Sequence, residues 1–274
     1  MPPITAPRRG GFSEDVPQYE NWIDSRTMKL VYQNLAIVVF LTVLVSLFRP
    51  YPVLSTVLVI FMIGDMLVVV YLQSCRSILD SQKGNFLGTI DQFIVDHLPW
   101  TGQGTLLDVG CEAGALSIRC AKIFRNAQVT GVGFWESESE YGKKRCEANA
   151  LTERVAERAR FQQGSTPRLD FPDETFDAVV GSFMIHRASG QIEDGRDLVL
   201  EAIRVAKPGA PFAFVDLFER KGVFGDMDQL VSKLKALGVR EVHYLPHVEK
   251  REWVPKLLRT FFLFKGMGLL YGVK

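Results

Sequence analysis

The residues best suited to chemistry stand close together in one stretch, Leu106 to Ala115, which reads LLDVGCEAGA. Apolar residues lead up to Asp108, and Gly110 and Gly114 bracket Cys111 and Glu112. Such a run describes a buried strand that turns sharply into a helix, with glycines that let the backbone bend and approach a ligand closely. The following helix, from about Ala113 to Phe124, would aim its N-terminal amides at the turn, a natural site for a carboxylate or phosphate. A glycine turn also serves packing alone, so the chemistry depends on what surrounds it.

Other candidates lie further along. His186 could act as a general base near neutral pH, or it could be a hydrogen-bonded structural residue beside Arg187. Asp216 could face a substrate or cap the next turn. His243 and His247 lie four apart, but Pro246 intervenes, which is not helical metal-ligand spacing. The four cysteines, Cys75, Cys111, Cys120 and Cys146, form no CxxC pair. They read as reduced thiols in a cytosolic setting, with no disulfide framework and no metal site. Cys111 reads as a packing residue. A net charge of +1 makes no electrostatic case for nucleic acid or a strongly acidic partner.

An alternation of elements must position these residues. A lead-in helix is expected within Ile78 to Leu98, ended by Pro99-Trp100-Thr101-Gly102. Beyond the first motif, strands are expected at 128–132, 157–162, 176–180, 210–218, 239–245 and 269–273. Helices are expected at about 138–151, 191–206 and 226–237, the second stopped by Lys207-Pro208-Gly209. This is the pattern of an α/β domain with a mostly parallel, seven-stranded sheet, whose ligands bind at the carboxyl ends of the strands. The last two strands have no helix between them, which suggests an antiparallel pair at one edge.

The first third differs in kind. Residues 1–29 form an expected flexible tail, rich in proline at its start. Within 30–73, two apolar runs, Leu30 to Phe48 and Val53 to Leu72, are each about 20 residues long and flank Arg49-Pro50-Tyr51-Pro52. At 1.5 Å per residue each can cross a hydrocarbon core of roughly 30 Å, so the segment reads as a transmembrane helical hairpin. Thr42 and Ser46 can bond back to the helix backbone. Buried core helices or a re-entrant hairpin would show the same composition. Arg8, Arg9, Arg26 and Lys29 before the runs, and Arg76 and Lys83 after them, place both ends in the cytoplasm. Asp65 lies inside the second run, where an ionisable group needs a partner such as Gln33, Asn34 or Thr42. Trp253 to Leu270 mixes bulky apolar residues with Lys256, Arg259 and Lys265. It could rest on the membrane or cover the sheet.

LLDVGCEAGA resembles the first motif of the class I S-adenosylmethionine-dependent methyltransferases, written hhDhGCGxG with h apolar. FPDETFDAVV and EAIRVAKPGAPFAFVDLF resemble later blocks of that family, so the likeness covers residues 78–274. The hairpin, the FDAVVGSFMIHR segment and the ending LLYGVK resemble small membrane-attached bacterial members. The resemblance implies a Rossmann-like fold and S-adenosylmethionine as cofactor; the hairpin together with the order of the blocks leads to the expectation of a membrane-anchored methyltransferase acting on a small or lipid-like acceptor at the cytoplasmic face. Asp108, Gly110, Cys111, Glu112 and Gly114 would border the methionine part. Gly133 and Phe134 would meet the ribose, Ser165 and Thr166 the adenine, and Ser182 to Met184 the cavity floor. Methyl transfer is an in-line displacement from a sulfonium, so the protein's share is alignment, electrostatics and sometimes a base such as His186.

Three positions depart from the family pattern. Glu112 replaces a glycine, Gly133 stands where the ribose-binding acid belongs, and Ser165 replaces the adenine-side acid. Glu136 would have to reach back to serve the ribose. Each change is expected to cost about one to a few kcal/mol of binding, enough together to make a micromolar site very weak. A catalytically degenerate binding or scaffold protein is therefore the alternative. A nicotinamide-dependent dehydrogenase is a third reading, against which the Asp ending strand one and the Lys-Pro-Gly block argue.

Overall fold

The computed structural model describes residues 16–47, 52–135, 140–165, 168–187 and 194–274. The chain divides into two units: Glu20–Leu87 with Lys256–Leu258, and Met1–Tyr19 with Gly88–Pro255 and Arg259–Lys274.

The first unit is built on α1 (Ser25–Leu47) and α2 (Pro52–Leu79). Both are long and apolar enough to cross a membrane, and most of their large apolar side chains, including Phe40, Ile60, Phe61 and Leu67, are exposed. Asp24 starts α1 by accepting a hydrogen bond from Thr27 N at 2.5 Å, an N-terminal cap. The Thr42 hydroxyl donates back to Val38 O at 2.7 Å. Asp65 is partnered by Asn34, whose Nδ2 donates to Oδ2 at 2.9 Å. A second polar link joins Tyr32 to Gln73 at 2.9 Å. The second apolar run was expected to end at Leu72, yet α2 continues to Leu79. Arg76 explains the extension: its guanidinium donates to Ile23 O and its carbonyl accepts from Asn21 Nδ2, both at 2.9 Å. Described residues near the end of the expected tail also make defined contacts. Within the second unit, Gln18 exchanges two hydrogen bonds with Asn149, at 2.7 and 3.1 Å.

After α2 the chain continues through α3 (Phe86–Asp96), β1 (Gly104–Val109), α4 (Ala115–Ile123), β2 (Ala127–Gly133), α5 (Glu140–Thr152), β3 (Ala159–Gln163) and β4 (Ala178–Ser182). Then come α6 (Met184–Arg187), α7 (Gly195–Val205), β5 (Pro211–Asp216), α8 (Lys221–Phe224), α9 (Met227–Ala236), β6 (Glu241–Leu245) and β7 (Gly268–Val273). The seven strands form one sheet in the order β3-β2-β1-β4-β5-β7-β6. β1 pairs in parallel with β2 and β4, so it lies centrally, and its carboxyl end faces the point where the strand order reverses. The fold is the Rossmann-like one of class I methyltransferases.

The last two strands form an antiparallel pair at one edge of the sheet, as expected, and within that pair β7 is the inner strand. It lies between β5 and β6 and pairs antiparallel with both, through Ala213↔Tyr271 and His243↔Tyr271. Burial explains the order. Nearly every residue of β7 is buried, whereas β6 is half-exposed along its length. A strand apolar on both faces needs a neighbour on each side, and the more polar strand tolerates the edge.

Apolar periodicity accounts for the packing. Leu198, Val199, Ala202 and Ile203 form the buried stripe of α7, against Phe212 and Phe214 of β5. Asp194 caps α7 by accepting from Arg196 N at 2.9 Å. Asp177 secures the start of β1 at the end of the sheet away from the motif. Its Oδ2 accepts from Thr105 N and Oγ1, and Lys207 Nζ donates to Oδ1 at 2.7 Å. Burial pushes this carboxyl up, but the Lys207 and Thr105 bonds outweigh it and hold it below its usual range.

The segment 253–270 is neither one long helix nor uniformly covered. Within the second unit, Val254, Leu263, Phe264 and Met267 are buried, and Phe264 lies 5.4 Å from Phe183, while Phe261 and Phe262 are exposed.

Candidate functional site

The turn after β1 has the geometry its glycines require. Gly110 has φ +76° and Gly114 φ +82°, in the left-handed region that favours glycine. Both glycines also allow close approach. A Cβ on Gly110 would lie 2.8 Å from Met184 Cα, and one on Gly114 would lie 3.0 Å from the Phe161 ring. The amides of Gly110 and Cys111 both donate to Val132 O, at 2.8 and 2.9 Å. No side chain caps α4 at Gly114, so its first amides point to the carboxyl end of the sheet with capacity for an anionic group. Glu112 occupies the missing-glycine position with φ +49°, which explains why glycine would suit it.

Asp108 is almost fully buried and accepts a 2.5 Å hydrogen bond from Ser117 Oγ on α4. This link ties strand end to helix. Ser117 escaped sequence reading, although its place nine residues on, facing back from the first turns of a helix, was a usable signal. Cys111 is buried. Burial, followed by the neighbouring Cys146 thiol, pushes its thiol well above the usual range, so it stays protonated and unreactive. Among the described residues, no cluster of His, Cys, Asp or Glu could hold a metal ion.

The end of β2 differs more. Gly133 closes the strand, and Phe134 turns its ring into the hydrophobic core with Leu107 and Val132, leaving only its backbone at the surface of the site. Trp135 takes the opposite course. Its Nε1 donates to Glu112 O at 3.1 Å, and its ring lies where a side chain on Gly133 would project. Sequence reading missed Trp135; the signal was a large aromatic flanked by Gly133 and Gly142. Ser165, beyond β3, is exposed and donates to Arg168 O at 3.4 Å. Thr166 and Glu136 lie outside the described residues.

Past β4, Ser182 is half-buried at the strand end while Phe183 and Met184 are fully buried. Of the expected floor, Ser182 is therefore the residue with a polar side chain at the site. His186 lies on α6; its imidazole is outside the described residues. Asp216 is fully buried and accepts from Ile185 N at 2.9 Å and from Leu217 N at 2.8 Å. Of its two readings, the cap is the one the geometry favours.

Comparison with known proteins places this arrangement. The family described as a methyltransferase domain matches residues 107–214, from β1 into β5. Norajmaline N-methyltransferase of Rauvolfia serpentina is 30% identical over 115 residues, which is 42% of this chain and 36% of that protein. The 27-O-demethylrifamycin SV methyltransferase of Amycolatopsis mediterranei is 30% identical over 119 residues, 43% of this chain and 40% of its own length. The chain thus spans about two fifths of the curated relatives it matches. Among solved structures, phosphoethanolamine N-methyltransferase 2 of Haemonchus contortus, in complex with S-adenosyl-L-methionine, aligns with TM-score 0.50 at 16% identity, over 68% of this chain and 52% of that one. The cyclase SpnF aligns equally well, at 18% identity over 68% of this chain and 80% of that one. These two likenesses concern the fold, which hosts more than one chemistry. Over residues 107–214, then, this chain is similar in sequence to the methyltransferase-domain family.

Proposed function

We propose that this protein is a membrane-anchored S-adenosylmethionine-dependent methyltransferase that acts on a small or lipid-like acceptor at the cytoplasmic face. The observation that carries the reading is the left-handed turn from Gly110 to Gly114, which joins β1 to α4 at the centre of the sheet. The start of α4, which no side chain caps at Gly114, suits the amino-acid carboxylate of S-adenosylmethionine. The cofactor, when bound, supplies a methyl group already activated on sulfur.

The chain's own work is positional. Asp108, held by Ser117, Gly110, Cys111, Glu112 and Gly114 form the wall at the methionine end. Ser182 ends the strand on the acceptor side, and His186, one turn further on, is assigned as the base that takes the acceptor's proton. His186→Gln is expected to cut transfer by about a hundredfold with cofactor affinity unchanged; a full rate in that variant removes the assignment. Gly133, Phe134, Ser165 and Thr166 are assigned to the adenosine end, where the first three present backbone, ring-packed or hydroxyl groups and no carboxylate.

The exposed apolar faces of α1 and α2 support the anchor, since two helices this apolar and this uncovered find their solvent in a bilayer. Phe261 and Phe262, exposed beside Arg259 and Lys265, suit an interfacial contact through which a lipid-soluble acceptor could approach. One experiment tests both parts. Membranes carrying the full chain are washed with alkaline carbonate, and protein extracted from the pellet in detergent is titrated calorimetrically with S-adenosylhomocysteine. The chain is expected to stay in the pellet and to give measurable heat. Release into the wash sinks the anchor. A folded protein silent at millimolar ligand sinks the methyltransferase and leaves the degenerate binding protein, which Glu112, Gly133 and Ser165 favour.

A further inference from the structure

Trp135 is held in a cradle that this chain builds for it. A Cβ on Gly133 would lie 2.3 Å from both Cε2 and Cζ2 of the indole, and one on Gly142 of α5 would lie 2.4 Å from Cδ1. Any side chain at either position would overlap the ring, so both glycines are needed for it to lie there. The indole Nε1 donates across to Glu112 O at 3.1 Å, and Gln163 Nε2 donates to Trp135 O at 3.0 Å. The ring thus bridges the carboxyl ends of β2 and β1, which pair through Val109↔Val132 just before Gly110 and Gly133. In a doubly wound sheet that crest is where a ligand lies.

The indole is half-exposed, has one neutral hydrogen bond, and is flanked by two residues without side chains. The side-chain torsions of Trp135 are the freedom by which the ring can leave the end of β2.

We propose that Trp135 is a gate on the nucleoside end of the cofactor site: the indole stands over Gly133, where the ribose would meet the end of β2, and must swing away before S-adenosylmethionine can bind. The gate rests on the cofactor reading above. It adds that the chain is normally closed, so apparent affinity falls by the fraction of molecules that are open. It also accounts for a glycine at 133, since a carboxylate there and the indole would compete for one space.

The test is calorimetric titration of the full chain in detergent with S-adenosylhomocysteine, as wild type and as Trp135→Ala. The variant is expected to bind about tenfold tighter or more, and binding seen only in the variant is the extreme of the same result. Equal or weaker binding by the variant, with measurable binding by wild type, overturns the gate and leaves the cofactor reading standing. Silence in both folded proteins overturns both. If Trp135→Ala does not fold, the wild type labelled with 5-fluorotryptophan decides. Its Trp135 fluorine resonance, assigned by its absence in Trp135→Phe, is expected to move on saturation with the ligand. A resonance that stays fixed at saturation overturns the gate.

Discussion

Gly110→Ala is expected to destabilise the folded protein by about 2–5 kcal/mol and to abolish measurable binding of S-adenosylhomocysteine. Two costs add. At φ +76° an L-residue is strained. The new methyl would also lie 2.8 Å from the Cα of Met184, a backbone atom of α6 that cannot rotate aside, so β1 and the β4–α6 turn must part. Gly209→Ala separates the two terms. Gly209 has a similar φ of +81° but open space around its Cβ, so it should carry the strain of about 1 kcal/mol alone. Thermal unfolding of both variants in detergent reads the difference. Equal shifts would show that the contact with Met184 is not tight and that the turn tolerates a wider path.

The second large effect is expected at Asp216. Its two carboxylate oxygens accept from Ile185 N and Leu217 N in a fully buried position. Asp216→Ala would leave both amides without that acceptor, at a cost of about 3–5 kcal/mol. Asp216→Asn keeps one acceptor oxygen and should lose roughly half as much. The damage would fall on α6, and so on His186, because Ile185 N is the amide through which β5 holds that short helix. A transfer assay on Asp216→Asn should therefore show a reduced rate at saturating cofactor. If Asp216→Ala melts with the wild type, the carboxylate is not the anchor described here.

Much of the fold was legible because its signals are local. The apolar runs that make strands, the stop at Lys207-Pro208-Gly209 and the lengths of the two apolar helices depend on neighbours in sequence, and all the expected strands lie within a few residues of those observed. The candidate site was legible only in its glycines. Gly110 and Gly114 announced a left-handed turn because few other residues adopt one. What Asp216 and Phe134 do was hidden, because alternation fixes the direction of a side chain inside a strand and not at its end. Ser117 and Trp135 act across loops, on Asp108 and on the carbonyl of Glu112, and such pairings have no marker at either residue alone.

The chain by itself determined an α/β alternation, a turn built for close backbone approach, and two helices too apolar and too long to pass unnoticed. Those follow from side-chain period, backbone freedom and hydrophobicity, which each segment carries on its own. Tertiary structure alone decided that β7 lies between β5 and β6, that Asn34 partners Asp65, that Asp216 caps rather than faces the crevice, and that an indole stands at the end of β2. Each of these is a choice among partners distant in sequence, settled by which pairing buries apolar surface and satisfies polar atoms at once.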